Sequence, residues 1–558
     1  MKGSKAVLTL LEREGVEVMF GYPGGVVIPI YDDLLNSSIH HVLVRHEQCA
    51  AHMADGYARA TGRTGVCIAT SGPGSTNLVT GVATAYADSS PMLVLTGQVA
   101  THLIGTAGFQ EADTFSLMMP ITKHNFRVLD PKQIPEAIKR GMNIARTGRM
   151  GPVHVDLPVD VSNGNVPDEL LDQSYPIPAP SEDLSQILEA IRMLMNAERP
   201  VMLVGGGAIW SNASPEVVKL AELMLMPVIT TVMGKGIIPE EHPLSTGILG
   251  MHGRECSRKC LLEADLILAV GTRFSDRTIP HANEIPLTTK IIHVDIDPIE
   301  AGKNPRTKVR LVGDAKKALQ LIIKGLGKGK HDTPWSKRVQ EFKAKCVCRI
   351  DDESTPIKPQ KAIYELGKVI TDDTIITTEV GQNQMWAAHF LKVRHPRQFI
   401  TSGGMGTMGF GFPASLGAKI AYRERPVIDI AGDGSIQMVF HEFATAVQEN
   451  LPVMVCVMDN GWLGMVKQWQ KLFWGQRYSG TSLHANPDFV KLAEAFGAEG
   501  IRVERPSELR EAFQKGLRSQ VPYLVDIIVD PEEDVLPMVP AGKMSTDVVP
   551  GKCNWACK

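Results

Sequence analysis

Short apolar runs recur along the chain, each ending in Gly, Asp or Asn and giving way to a helical pattern. Runs at 66–69, 92–96 and 153–157 predict buried strands in a first block, and those at 201–204, 266–270 and 291–294 do so in a second. Runs at 375–378, 427–431, 453–458 and 523–529 serve a third block. Strands apolar on both faces and alternating with helices indicate parallel sheets covered on both sides. Two stretches interrupt the pattern. Residues 166–183 contain Pro167, Pro176, Pro178 and Pro180, and residues 325–359 run from a Gly- and Lys-rich start through one expected helix to Pro356 and Pro359. The expected fold class is therefore α/β, with three doubly wound parallel-sheet domains over residues 1–165, 184–330 and 358–535 and a tail over 536–558.

The first and third blocks echo each other. Gly72-Pro73-Gly74 leads to Gly81 and Ala85-Tyr86, much as Gly409-Phe410-Gly411 leads to Gly417 and Ala421-Tyr422. An ancient duplication and a pair of similar βα turns would both produce this echo.

Composition narrows the function. A length of 558 residues exceeds what one core supports, and 44% hydrophobic with 21% charged residues is ordinary for a soluble globular chain. The net charge of -3 argues against nucleic acid as a partner. Residues 1–20 mix Lys, Arg and Glu with apolar positions, unlike a signal peptide, and no later segment suits a membrane span, so a cytoplasmic protein is expected. Nine cysteines in this length do not suggest a disulfide framework. Cys256 and Cys260 are spaced to share a helix face, Cys346 and Cys348 stand in a charged stretch, and Cys553 and Cys557 lie in the tail. None forms the paired CxxC pattern of a zinc site, so no cysteine is expected to bind metal.

The most specific signal is Gly432-Asp433-Gly434-Ser435 after one predicted strand and Asp459-Asn460-Gly461 after the next. A helix is expected over 437–450 between them, with Met438, Phe440, Phe443, Ala444 and Val447 near one face. A right-handed βαβ crossover brings the carboxyl ends of its two strands to the same edge, where open α/β sheets bind ligands. Alone, either tripeptide reads as a turn. Paired across one crossover, they offer Mg²⁺ a carboxylate from Asp433, an amide oxygen from Asn460 and the backbone carbonyl of Trp462, with diphosphate oxygens and water completing the shell. Gly432 and Gly434 permit close approach of backbone to phosphate, and the following helix N-terminus favours its charge.

This pairing resembles the diphosphate signature of thiamine-diphosphate enzymes. Arg45-His46-Glu47-Gln48, between a strand at 41–44 and a helix at 50–60, is similar to the activating-glutamate motif of the same family. Pro73 in Gly72-Pro73-Gly74, together with Asn77, matches its next cofactor-proximal loop. Without that context Glu47 reads as a first-turn residue favoured by the helix dipole. The resemblance implies that Glu47 faces the cofactor's aminopyrimidine ring, where a buried carboxyl of raised pKa shares its proton with a ring nitrogen. It also implies that the cofactor is held by the Asp433 domain of a partner subunit, hence a homodimer or homotetramer.

A closer resemblance, to acetolactate synthases, runs from Gly21-Tyr22-Pro23-Gly24-Gly25 to about Pro540. It implies decarboxylation of pyruvate and condensation of the hydroxyethyl enamine with pyruvate or 2-ketobutyrate, in branched-chain amino-acid biosynthesis. Met408 resembles the wedge that holds the cofactor bent, a role compatible with an ordinary core methionine. Gln382, Ser435, Met438 and Met465 resemble cofactor contacts. Gly25, Phe109 and Gln110 match positions near the reacting carbonyl, and Trp469 with Val466 matches the acceptor pocket, although an aromatic there commonly only packs. FAD is implied in the central block. Gly205-Gly206-Gly207 is a weak indication, while Gly271, Arg273, Asp276 and Arg277 resemble the family's Arg-Phe-Asp-Asp-Arg motif. Arg149, Met251, His252, Asp295 and Asp297 complete that set.

The sequence departs from the family at Ser275, Ala107-Gly108, Asn383 and Ala100-Thr101-His102. A sulfoacetaldehyde acetyltransferase-like enzyme is the nearest rival, sharing the run Gly108 to Glu111. A non-catalytic nucleotide-binding regulatory protein is opposed by intact Glu47, Asp433 and Asn460. A separate small regulatory subunit is compatible with a chain that ends soon after its third block.

Overall fold

The computed structural model describes residues 1–279, 281, 285–327, 329, 333–346, 350, 352–540, 542–544 and 547–549. Three six-stranded sheets succeed one another. The first contains β1 (Val18–Tyr22), β2 (His40–Leu43), β3 (Gly65–Ala69), β4 (Met92–Gln98), β5 (His124–Arg127) and β6 (Pro152–Pro158). The second contains β7 (Pro200–Val204), β8 (Val228–Thr230), β9 (Ser245–Ile248), β10 (Leu266–Val270), β11 (Lys290–Asp295) and β12 (Thr307–Val312). The third contains β13 (Ile375–Thr378), β14 (Phe399–Thr401), β15 (Val427–Gly432), β16 (Met454–Asp459), β17 (Glu499–Val503) and β18 (Tyr523–Ile528). Every pairing within them is parallel. Helices cover both faces, as continuous apolar strands require.

The apolar runs mark the sheet interiors. Strands absent from the sequence reading are β5, β9, β12, β14 and β17, all of them sheet edges, and the interior strands β1 and β8. Edge strands are short or half exposed, as in β12 and β17, and lack an unbroken apolar run. Cys256 and Cys260 do share the buried side of one helix, Glu255–Glu263. Cys346 is disulfide-bonded, a bridge that cysteine spacing did not predict. Cys348, Cys553 and Cys557 lie outside the described residues.

The first and third sheets have the same strand order, β2-β1-β3-β4-β6-β5 and β14-β13-β15-β16-β18-β17. This shared topology corrects the pairing of glycine turns made from sequence. Helix Gly411–Ala421, between β14 and β15, is equivalent to helix Glu47–Thr61, between β2 and β3. Gly72-Pro73-Gly74 follows β3 as Gly432-Asp433-Gly434 follows β15.

Those two equivalent helices pack directly on each other and join the two domains. A Cβ on Gly56 would lie 2.2 Å from the Ala414 carbonyl oxygen, and one on Gly417 would lie 2.0 Å from that of Met53. The helices therefore meet backbone to backbone. Around them Phe20, Tyr57, Phe410, Phe412 and Phe443 belong to one continuous core shared by both domains. The buried Arg59 guanidinium donates to Asp55, Asp88 and the Thr401 carbonyl, while Gly403 and Gly404 N–H groups donate to Asp88. A buried ion pair lacking one partner costs about 3–5 kcal/mol, so this complete network holds the seam in register.

The helix expected over 437–450 is not continuous. A turn at Asp433–Ile436, a 3₁₀ turn at Phe440–Glu442 and a helix at Phe443–Gln448 take its place. Breaking the helix buries Glu442 against the first domain, where its Oε1 accepts from the Arg45 and His46 backbone N–H groups. It also leaves Met438 half exposed rather than on the apolar face with Phe440 and Phe443. Tertiary hydrogen bonding has overridden the local helical period.

Gly417→Ala tests the seam. In an ordinary helix interior this change gains about 1 kcal/mol. Here the methyl group meets a backbone oxygen that no side-chain rotamer can relieve, and overpacking costs about 1–3 kcal/mol or more. The expected outcome is a lower chemical-denaturation midpoint, measured by circular dichroism.

Candidate active site

Strands β15 and β16 are neighbours in register, with Gly432 opposite Met458, so their following turns emerge together. A cleft of about 70 Å³ at that edge is lined by Gln382, Met408, Gly432, Asp433, Gly434 and Ser435, and by Asn460, Trp462, Met465 and Val466. Asp433 is buried, and its Oδ2 accepts from the Gly461 N–H at 2.9 Å and from Asn486 Nδ2 at 2.8 Å. Asn460 Oδ1 accepts from the Trp462 N–H at 3.0 Å, and Asn460 Nδ2 donates to Gln382 Oε1 at 3.3 Å. Ser435 caps its own turn, accepting from the Gly432 N–H at 3.1 Å.

Asp459 stands beside Asp433. Burial first, and then this second carboxylate, push the Asp433 carboxyl up to about 8. Two carboxylates beside an amide oxygen form a hard oxygen donor set, which suits a magnesium-class cation. Asn486 is a site residue that sequence reasoning missed. Its Nδ2 bridges Asp433 and Asp459, the second contact measuring 3.1 Å. In the sequence it is only an asparagine before a proline, with the signature of a turn.

Not every expected contact reaches this cleft. Met438 sits outside it with 53% of its surface exposed. Trp469 is half buried on helix Gly464–Phe473 and does not line it, although Val466 on the same helix does.

Glu47 is the first residue of helix Glu47–Thr61, which begins three residues earlier than its apolar pattern suggested. Its Oε2 accepts from Asn77 Nδ2 at 2.9 Å, and a Cβ on Gly74 would lie 3.3 Å from its Oε1. Pro73 opens the short helix Pro73–Asn77 that carries Asn77. Gln110 adopts a left-handed φ of 59°, and its carbonyl oxygen lies 2.8 Å from where a Gly72 Cβ would be. Gly72 itself has φ 58°, so both space and backbone conformation demand glycine there. Phe109 projects with 89% of its surface exposed, while a Cβ on Gly25 would meet nothing within 4 Å. Within one chain, the described lining of the Asp433 cleft comes entirely from the third domain. Glu47, Gln110 and Gly25 are therefore not brought together with Asp433.

A second and larger cavity, about 420 Å³, opens where all three domains meet. Arg149, Gly205, Gly206, Gly207, Met251 and His252 line it, as do Gly271, Arg273, Asp276, Arg277 and Asp295. Asp297 lies just outside, 3.5 Å from Arg149 Nη1. The glycines have a steric reason: a Cβ on Gly205 would sit 2.3 Å from the Gly271 carbonyl oxygen. Among the described residues the buried Nε2 of His252 has no partner. Burial and the neighbouring Arg149 lower the Arg273 pKa, and burial raises Asp295 to about 6. Guanidinium groups from Arg149, Arg273 and Arg277, the carboxyls of Asp276 and Asp295, and glycine-walled turns at strand ends fit a nucleotide's diphosphate and ribose.

Comparison with known proteins agrees with this geometry. Models of the thiamine pyrophosphate enzymes match residues 1–117 as the N-terminal TPP binding domain, 187–322 as the central domain and 379–527 as the C-terminal TPP binding domain. A protein of Methanocaldococcus jannaschii described as "Probable acetolactate synthase large subunit" is 49% identical, covering 98% of this chain and 95% of its own. The acetolactate synthase large subunit of Corynebacterium glutamicum is 43% identical, over 98% and 90% of the two chains. The isozyme 3 large subunit of Escherichia coli is 42% identical over 96% of each. With a 420 Å³ cavity between its three domains, a paired Asp433–Asn460 edge and such similarity along its length, the chain belongs to the acetolactate synthase large-subunit family of thiamine pyrophosphate enzymes.

Proposed function

We propose that this chain is the catalytic subunit of an acetolactate synthase, joining the two-carbon fragment of decarboxylated pyruvate to a second 2-keto acid, pyruvate or 2-ketobutyrate. The observation that carries the reading is the convergence of Asp433, Asn460 and the Trp462 turn at one sheet edge, in a chain 41–49% identical to large subunits over nearly its whole length. When bound, thiamine diphosphate supplies the nucleophilic carbon and the electron sink for decarboxylation.

The chain's own groups bind and orient. Asp433, Asn460 and the Trp462 carbonyl hold Mg²⁺, and Gly432, Gly434, Ser435 and Gln382 receive the diphosphate. Met408 and Met465, which line the cleft, would contact the cofactor, and Met438, exposed outside the cleft, would do so only from its surroundings. Glu47, oriented by Asn77, keeps a proton shared with the pyrimidine ring of a cofactor held by the partner subunit. Gly25, Phe109 and Gln110 come from the same side as Glu47 and enclose the keto acids, with Val466 facing them from the other chain and Trp469, outside the cleft, about one turn further along the same helix. Exclusion of water by these apolar groups favours carbon–carbon bond formation over protonation.

A homodimer, or a tetramer built from it, is the smallest assembly that completes such a site. Exposed apolar groups on both halves support it, with Ile28 and Phe109 in the first domain and Met405, Met438 and Trp474 in the third. The three-domain cavity is assigned to FAD. The large-subunit names of the relatives support a separate regulatory partner. No described helix is long and apolar enough to cross a membrane. Residues 1–165, 184–330 and 358–535 are taken as the cofactor's pyrimidine, FAD and diphosphate domains.

Product analysis with mixed pyruvate and 2-ketobutyrate should give 2-acetolactate and 2-aceto-2-hydroxybutyrate, and the purified protein should show a flavin spectrum; neither acid appearing would remove the assignment. Glu47→Gln should retain Mg²⁺-thiamine diphosphate yet lose at least about 100-fold in turnover, the scale of acid–base assistance. A third test follows from Asp433. Its carboxyl titrates at about 8, so a coordinating cation must displace a proton below that pH. Mg²⁺ affinity should fall by up to about tenfold per pH unit below about 8 and level off above it, as read by calorimetry.

A further inference from the structure

The seam between the first and third domains holds a cluster that the proposed reaction does not use. Cys49, from the first turn of helix Glu47–Thr61, meets His441 and Glu442, from the 3₁₀ turn Phe440–Glu442. Each offers one ligand atom, and these atoms all lie within 4.8 Å of one another. Cys49 Sγ is 3.7 Å from His441 Nε2, and that nitrogen is 3.5 Å from Glu442 Oε1.

These spacings have a geometric meaning. A tetrahedral ion about 2.3 Å from sulfur and about 2.0–2.2 Å from nitrogen or oxygen separates its ligands by about 3.4–3.6 Å. The sulfur–nitrogen and nitrogen–oxygen distances are already close to two edges of that polyhedron. The donor types matter as well. Thiolate and imidazole select zinc-class cations over the hard magnesium class, which takes oxygen donors as at Asp433.

The surroundings hold the ligands in place. Glu442 is fully buried, and its carboxylate accepts from the Arg45 N–H at 2.9 Å, the His46 N–H at 3.1 Å and Thr445 Oγ1 at 2.6 Å. Such supporting hydrogen bonds orient a metal ligand and tune its basicity. Cys49 is also buried, whereas His441 keeps 36% of its side chain exposed, which gives an ion a way in. The His46 ring centroid lies 6.0 Å from that of His441, but His46 Nδ1 is occupied by the Gln48 N–H.

We propose that Cys49, His441 and Glu442 form a binding site for a zinc-class divalent cation, distinct from the Asp433 site, that ties the first domain to the third. Binding breaks the Cys49 S–H bond, forms a sulfur–metal bond and releases one proton to solvent; no electron is transferred. Thiolate and carboxylate together neutralise the dication, and water takes the fourth position. The assignment reverses the sequence expectation that no cysteine binds metal, which rested on local CxxC spacing. Here the ligands are nearly 400 positions apart in the chain and only the fold joins them.

The test uses the full chain, stripped of transition metals, kept in excess Mg²⁺ and carrying Cys553→Ser and Cys557→Ser to remove the tail thiols. Titration with Co²⁺ should saturate at one equivalent per chain, with a near-ultraviolet thiolate-to-cobalt band and the intense visible bands of tetrahedral cobalt. Zn²⁺ should bleach both. Cys49→Ala should abolish the thiolate band. His441→Gln changes a side chain that is 36% exposed, and so decides the matter if Cys49→Ala fails to fold. Losing a supporting shell alone weakens metal sites by about 10–100-fold, so His441→Gln should weaken Co²⁺ binding by at least about tenfold. Absence of stoichiometric binding, or a thiolate band and affinity unchanged in His441→Gln, would overturn the assignment.

Discussion

Two helices that touch backbone to backbone set the geometry on which the molecule depends. Glu47–Thr61 and Gly411–Ala421 occupy the same place in two sheets of identical strand order, and Gly56 and Gly417 let them approach until no Cβ fits between. One core passes through the contact. Because side chains do not cushion the approach, the two domains cannot rotate on each other without separating. Glu47 sits at the end of one of these helices, so its position is inherited from the seam. The same rigidity keeps it apart from the Asp433 cleft of its own chain, which is why the proposed reaction centre draws on two copies.

Buried acids organise the third domain. Glu379 accepts from the Gly409 N–H at 2.6 Å and the Phe412 N–H at 3.1 Å, and burial pushes it up to about 7. The turn that follows Met408 is thus wound around a carboxyl group. Asp429 lies buried nearby, accepting from Thr377 Oγ1 at 3.0 Å, and the proximity of Glu379 raises its pKa further. Carboxyls in such surroundings favour the neutral form unless a cation arrives. Asp433 differs from Glu379 and Asp429 in lining a cleft, where a cation can reach it.

Sequence legibility followed how local each determinant is. Most strands of the sheet interiors were readable because burial on both faces leaves an unbroken apolar run, while β1, exposed at one end, and the three-residue β8 were not; Asp433 with Asn460 was readable because one crossover suffices to unite them. The arginines and glycines of the large cavity were gathered by resemblance rather than by pattern, and they do converge on one space. Asn486 was hidden because its position depends on the path of a loop between two elements. The break in the expected helix over 437–450 was equally hidden, since Glu442 is drawn out of helical register by N–H groups almost 400 residues earlier. Trp469 shows the converse: a side chain identified from a longer motif stands on the right helix without reaching the cleft of its own chain.

The cavity shared by three domains has a thermodynamic consequence. Its walls include Asp88 and Arg149 from the first, Gly206 and Arg273 from the second, and Gln384 and Gly403 from the third. Anything that binds only when those walls are assembled shifts the folding equilibrium of all three at once by mass action. A tenant of that space then works as a keystone, lending the arch its cohesion while leaving the chemistry to be done elsewhere.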